Sequence, residues 1–215
     1  GVRLVGSEMC IRDSMISIGI KNSLVEEVFF KTDSFLMFRR LTLVVVGIFI
    51  LTLFSKIKIP IWPSPVPINL ATLSVLTIGL TYGPKLGLMT IFGYFILGTL
   101  GFDVFANSSA KVNGMEYMLG STGGYLFGYL LATIALGFLA RAGWDRNVFK
   151  IVLALIIGNA LIYIPGIFWL AELYTWNKPI LAWGLTPFLI GDSLKILLAA
   201  LVIPSMWKFI GSAKK

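Results

Sequence analysis

Six apolar runs set the plan of the chain: about Leu41–Ile57, Ile68–Tyr82, Leu86–Leu100, Gly124–Ala140, Ile151–Leu170 and Leu181–Trp207. A helix that crosses a bilayer needs about 20 predominantly apolar residues. The second run is short, so it is expected either to tilt into a thin region or to be partly re-entrant. Polar and breaker residues punctuate the pattern. After Lys56 and Lys58 come Pro60, Pro63, Pro65 and Pro67, four prolines in eight residues, which no regular helix accommodates. Trp62 in that segment suits a membrane–water interface, and Lys56 and Lys58 are expected to snorkel to the headgroups. Gly83-Pro84-Lys85 predicts a tight turn. Residues 101–122 form the longest internal loop, of a length that is often functional when ordered.

Residues 15–38 hold Lys21, Glu26, Glu27, Lys31 and Asp33 and are not expected to span. The expected organisation is an N-terminal arm over 1–38, cytoplasmic, with 1–14 foreign to the rest, and one membrane domain over 39–210. The fold expected is an all-α membrane protein: a bundle of six transmembrane helices with a proline-rich segment between helices 1 and 2.

Composition supports that frame. Of 215 residues, 57% are hydrophobic and 13% charged, against about 45–50% and about 25% in soluble domains. Histidine is absent and Cys10 is the only cysteine. That excludes a His-based triad, a Cys/His zinc site, a His-ligated haem and an internal disulfide. The net charge of +8 comes from basic residues at the ends of apolar runs and at the termini, which reads as membrane orientation and contact with anionic lipids, not nucleic-acid binding. With both termini inside, the cytoplasmic segments hold Arg39, Arg40, Lys85, Arg141, Arg146, Lys150, Lys208, Lys214 and Lys215. The outer loops hold Lys56, Lys58, Lys111 and Lys178. Nine against four favours cytoplasmic termini.

The sharpest chemical signal is Asp192 and Lys195 inside the last run. Their spacing of three places both on one helix face. An ionisable residue at membrane depth costs about 2.5–3.5 kcal/mol on insertion scales and defaults to a functional reading; the alternative is a structural ion pair. Gly191 beside them leaves room for a ligand or helix. Gly120-Ser121-Thr122-Gly123-Gly124-Tyr125 opens the fourth run, where free N–H groups suit an anion; a capped turn with packing glycines competes. Asn69 is either an N-cap or a ligand contact, and Asn107 alone reads as a turn residue. Trp62, Phe105, Tyr125, Trp169 and Trp183 either line an apolar cavity or anchor and pack. No phosphate-binding Gly-x-x-x-x-Gly-Lys-Ser/Thr sequence is present.

Taken together, Ser64-Pro65-Val66-Pro67-Ile68-Asn69-Leu70-Ala71-Thr72-Leu73, Gly83-Pro84-Lys85-x-Gly87, Gly98-x-x-Gly101-Phe-Asp-Val-Phe105-Ala106, Thr122-Gly123-Gly124-Tyr125 and Gly191-Asp192-x-x-Lys195 resemble the BioY family. Its members are the biotin-binding S components of energy-coupling-factor (ECF) vitamin importers. The resemblance runs from about Leu41 to Trp207. It implies a non-enzymatic, multi-pass protein of the bacterial cytoplasmic membrane with a vitamin pocket near the outer face. Asp192 and Lys195 match the pair that contacts biotin in the family, Asn107 falls in the loop that helps close the pocket, and Tyr125, Gly123 and Gly124 match its lining. Biotin is then the transported substrate, with no cofactor, and a coupling subunit and ATPase subunits are the implied partners. Two departures stand out: Asn69 and Ala71 replace the family's Thr and Gln. The family's first helix carries small residues four apart that dock the coupling subunit, whereas here the row reads Gly47, Leu51, Ser55.

Three other functions compete: import of another vitamin-like substrate, lipid modification by a membrane-embedded enzyme using Asp192 with Glu116 or Asp103, and a scaffold role.

Overall fold

The computed structural model of the protein describes residues 23–25, 36–60, 62–108 and 112–212, the side chains of residues 36 and 209–212 excepted. The expected arm lies almost wholly outside these residues, as do Lys111, Lys214 and Lys215. Among the described residues the fold is helical: α1 (Leu36–Lys56), α2 (Ala71–Thr99), α3 (Gly114–Met118), α4 (Gly123–Arg141), α5 (Val148–Tyr174), α6 (Ile180–Gly184) and α7 (Phe188–Ser212). A 3-10 turn covers Trp144–Arg146. Two short strands, β1 (Lys58–Ile59) and β2 (Ile68–Asn69), pair antiparallel and close the proline segment into a loop. Among the described residues, five stretches are long and apolar enough to cross a membrane: 37–56, 71–99, 123–141, 148–174 and 180–208.

The second and third apolar runs fall in one of these stretches. Within α2, Gly83 leaves helical geometry at φ 74°, ψ 178°, a conformation that glycine adopts without steric cost. A Cβ on Gly87 would lie 3.8 Å from the Ile78 carbonyl oxygen. Nine residues of straight helix would separate them by about 13 Å, so the chain reverses at the predicted Gly83-Pro84 turn. The last run is also interrupted. Pro187 lacks an N–H and disfavours helix in the residue before it, so α6 ends at Gly184 and α7 starts at Phe188.

The helices pack most extensively as α2 on α4 and α4 on α5. The α4–α5 crossing depends on missing side chains. A Cβ on Gly124 would lie 2.4 Å from the Pro165 carbonyl oxygen, and one on Gly128 would lie 2.6 Å from the Ile162 Cα. Small residues four apart let membrane helices approach to backbone contact. The outer surface is apolar: Phe38, Phe49, Ile164, Leu189 and Leu194 are exposed. Near the end of α7, Trp207 donates its indole N–H to Asp145 at 3.0 Å, and the Arg146 guanidinium stacks over its ring.

The Gly47–Leu51–Ser55 row faces inward. Leu51 and Ser55 are buried, and a Cβ on Gly47 would lie 2.8 Å from Thr90 Cγ2. Lys56 and Lys58 reach the loop that follows α2. Lys56 bonds the Asp103 carboxylate at 2.5 Å, the Phe105 carbonyl at 2.7 Å and the Ser108 hydroxyl, while Lys58 bonds Asn107 at 2.8 Å. A carboxylate and oriented carbonyls within reach hold an ammonium better than a distant headgroup does.

Candidate functional site

The site forms where α2, α4, α5 and α7 meet under the proline loop. Lys195 is 6% exposed and Asp192 is 4% exposed. The Lys195 ammonium donates to an Asp192 carboxylate oxygen at 2.9 Å and to the Thr72 hydroxyl at 2.8 Å. The other Asp192 oxygen accepts a short hydrogen bond from the Tyr163 hydroxyl. One polar chain, Tyr163–Asp192–Lys195–Thr72, thus joins α5, α7 and α2. Helix geometry explains the pair: residues three apart on α7 share one face. At membrane depth, charges persist only when paired.

Lys195 and Thr72 line a narrow aromatic cavity of about 40 Å³, together with Tyr94, Phe105, Tyr125, Tyr129, Tyr163 and Phe188. Val66 and Pro67 of the proline loop border it. That loop is pinned over the cavity through the Ser64 hydroxyl, which donates to the Trp183 carbonyl at 2.7 Å. The Ser121 hydroxyl holds the Pro65 carbonyl from α4's side at 3.3 Å. Phe105 enters from the long loop, stacked on Tyr117 and edge-on to Tyr94. Outside the spans, Asp103 is held below the usual carboxylate range, chiefly by the hydrogen bond from Lys56 and then by that from Ser108.

The expected site residues divide by position. Asn69, Tyr125 and Lys195 line the cavity. Asp192 bonds Lys195 but borders a neighbouring cavity between α5 and α7. Asn69 precedes the N-cap, which is Leu70, and its side chain accepts the Ala71 N–H at 2.9 Å. The Tyr125 hydroxyl donates to the Gly184 carbonyl at 2.9 Å, and its ring faces inward. Asn107 is exposed, and its side chain is engaged by Lys58. Gly123 and Gly124 sit at the contact with α5: a Cβ on Gly123 would lie 2.9 Å from the Trp169 indole nitrogen. Thr122 makes no side-chain cap to α4 but lines the cavity. Trp62 is exposed, and Trp169 donates to the Gly120 carbonyl. Sequence reading passed over Tyr163, Thr72 and Tyr129. A signal existed for Tyr163, a phenol midway along an apolar run and far from the interfaces where tyrosine usually sits.

Comparison with known proteins adds a family. The family model described as "BioY family" matches residues 26–212. A probable biotin transporter BioY of Rickettsia prowazekii is 30% identical over 188 residues, covering 87% of this chain and 91% of its own. A probable biotin transporter BioY of Pyrococcus horikoshii is 37% identical, over 64% of this chain and 78% of its own. The biotin transporter BioY of Thermotoga maritima is 32% identical, over 74% and 92%. Among solved structures, a 2.1 Å crystal structure of the S-component for biotin from an ECF-type ABC transporter shares the fold. Its TM-score is 0.71 at 24% identity, over 82% of this chain and 95% of that one.

Proposed function

This chain belongs to the BioY family, and we propose that it binds biotin and carries it across the bacterial cytoplasmic membrane as the S component of an ECF transporter. The observation that carries this reading is Lys195 at the wall of an aromatic cavity, in a buried pair with Asp192 that Thr72 and Tyr163 fix. Biotin's ureido group needs fixed donors and acceptors, because unpaired polar atoms in a dry pocket are costly. Lys195 and Asp192 supply part of that set, and Asn69 and Tyr125 add to it. Tyr94, Phe105, Tyr129 and Phe188 receive the apolar body.

The cavity is small, about 40 Å³, and closely hemmed by its rings. Binding therefore requires its rings to part. The proline loop and the segment after Val104 are the movable walls, and the ligand enters between them from the outer side, past Asn107.

The reversal at Gly83 is read as a re-entry that makes two crossings of α2, giving six in all and both termini in the cytoplasm. Energy comes from separate ATPase subunits through a membrane coupling subunit. The inward Gly47–Leu51–Ser55 row leaves that contact to other residues. The family and its named relatives are transporters, not enzymes. The rival acid–base set is not assembled: Asp103 is bound by Lys56 and Ser108, and Glu116 borders a depression with Asn107, apart from Asp192.

A second reading, another vitamin-like substrate, is favoured by Ala71, which lines the cavity where the family carries an amide. Native mass spectrometry of the gently purified protein, followed by denaturation, separates the two. Released or added biotin that binds wild type, and is lost in Asp192→Asn and Lys195→Ala, supports the proposal. A folded protein that refuses biotin and retains another small molecule selects the second reading.

A further inference from the structure

Five tyrosines line the aromatic cavity, and four of their hydroxyls are bonded to protein. Tyr94 donates to the Val104 carbonyl at 3.1 Å, Tyr125 to the Gly184 carbonyl at 2.9 Å and Tyr163 to Asp192, while Tyr117 accepts the Asn107 N–H at 3.3 Å. Tyr129 differs. It is 6% exposed, and among the described residues its hydroxyl has no hydrogen-bond partner. A phenol hydroxyl taken out of water is costly to leave unpaired.

Its depth gives the partner a chemical character. α4 meets the cavity through Thr122, Tyr125, Leu126 and Tyr129. Tyr129 follows Gly123 by six residues, about 9 Å along the helix at 1.5 Å per residue. Thr133, one turn on, is fully buried and does not line the cavity. Tyr129 therefore stands at the floor, away from the proline loop. α7 runs the same way as α4, since Trp207 near its end meets Asp145 and Arg146 just past the end of α4. Lys195 follows Phe188 by seven residues, about 10 Å along, so it serves the same end of the cavity. Its ammonium has three donors, two of them used by Asp192 and Thr72. The floor thus offers one hydrogen from an ammonium and one from a phenol. Asp192 already balances the ammonium, so a second anion there would lack a counter-charge at membrane depth. A neutral oxygen with two lone pairs fits both donors.

We infer that Tyr129 is a specificity-determining residue: its hydroxyl donates to the carbonyl oxygen of a neutral cyclic urea seated at the floor of the cavity, with the ligand's carboxylate directed toward the proline loop. This rests on the biotin reading of the site and names the ligand atom that Tyr129 reads.

The test is isothermal titration and thermal melting of the full chain in detergent, wild type against Tyr129→Phe and Tyr125→Phe. The ligands are biotin, biotinamide, which has no carboxylate, and thiobiotin, in which sulfur, a weak acceptor, replaces the ureido oxygen. Tyr129→Phe should weaken biotin and biotinamide about tenfold and thiobiotin much less. Without ligand it should melt no lower than wild type, because it removes an unpaired hydroxyl. Tyr125→Phe makes the same change one turn away and should melt lower, because it strands the Gly184 carbonyl. Unchanged biotin affinity in Tyr129→Phe overturns the inference and leaves the biotin reading standing. Equal losses for biotin and thiobiotin also overturn it, as does a loss for biotin that biotinamide does not share, which would assign the hydroxyl to the carboxylate. Tyr129→Phe melting as low as Tyr125→Phe would make the hydroxyl a structural group and overturn it too. A folded wild type that binds none of the three ligands overturns the biotin reading together with the inference.

Discussion

Tyr163 on α5 donates its hydroxyl hydrogen to Asp192 on α7, leaving the second carboxylate oxygen to Lys195. The acid is thus held from two helices, and the ammonium is free to reach Thr72 on a third. Tyr163 lines both the aromatic cavity and the neighbouring one between α5 and α7. A hydrogen bond to a charged group contributes about 1.5–3 kcal/mol, and 1.4 kcal/mol is tenfold in an equilibrium constant. Tyr163→Phe keeps the ring and removes only that bond. We expect biotin affinity, measured by isothermal titration in detergent, to fall at least tenfold.

The ion pair separates folding from binding. Removing one partner of a buried pair costs about 3–5 kcal/mol because the other charge is stranded, whereas replacing both by apolar groups is often neutral. Lys195→Met and Asp192→Leu should each lower the thermal midpoint, and the double variant should recover much of it. All three should fail to bind biotin. A double variant as unstable as the sum of the singles would mean that the two residues do not act as a pair.

The α4–α5 crossing gives a steric prediction. Gly128→Leu forces a side chain into backbone 2.6 Å away, and overpacking of even a few methylenes costs about 1–3 kcal/mol. Little monodisperse protein should survive detergent extraction. Gly191→Ala is the contrast, because its Cβ would meet only Ile68 Cγ2, at 3.9 Å. It should express and melt like wild type.

The loop latch gives a pH dependence. Asp103 has its folded pKa depressed below the ordinary 3.8 by Lys56 and Ser108. Its contribution is therefore fully present above that ordinary value and is lost as pH falls through the lower folded one. Hydrogen exchange of residues 101–108 should accelerate as pH drops below about 4, after correction for intrinsic rates. In Asp103→Asn it should already be fast at neutral pH and show no such step.

Much of the fold was legible because lipid imposes one rule: backbone polar groups must be satisfied internally, so apolar runs become helices. The positions of α1, α4 and α5, the break at Gly83 and the non-helical proline segment all follow from apolar length and from glycine and proline. The same reasoning singled out Asp192 and Lys195, since a charge inside an apolar run demands a partner.

Tertiary structure alone decided which partner each group found. For Lys56 the sequence offered only headgroups as partners, because its sequence neighbours are apolar; the fold brings Asp103, 47 residues on, within its reach. Gly123 and Gly124 read equally well as an anion site or as packing glycines, because a glycine's backbone N–H groups and its missing Cβ read identically in one dimension. The nearness of Trp169 and Pro165 shows that they pack against α5. Asn107 lies on the outer surface and Tyr163 behind Asp192 for the same reason. Sequence by itself determined that this chain is helical, membrane-embedded and built around the Asp192–Lys195 pair, through the local solvation cost of backbone and charge. Only the packed structure decided which rings, hydroxyls and loops surround that pair, because those contacts join residues far apart in the chain.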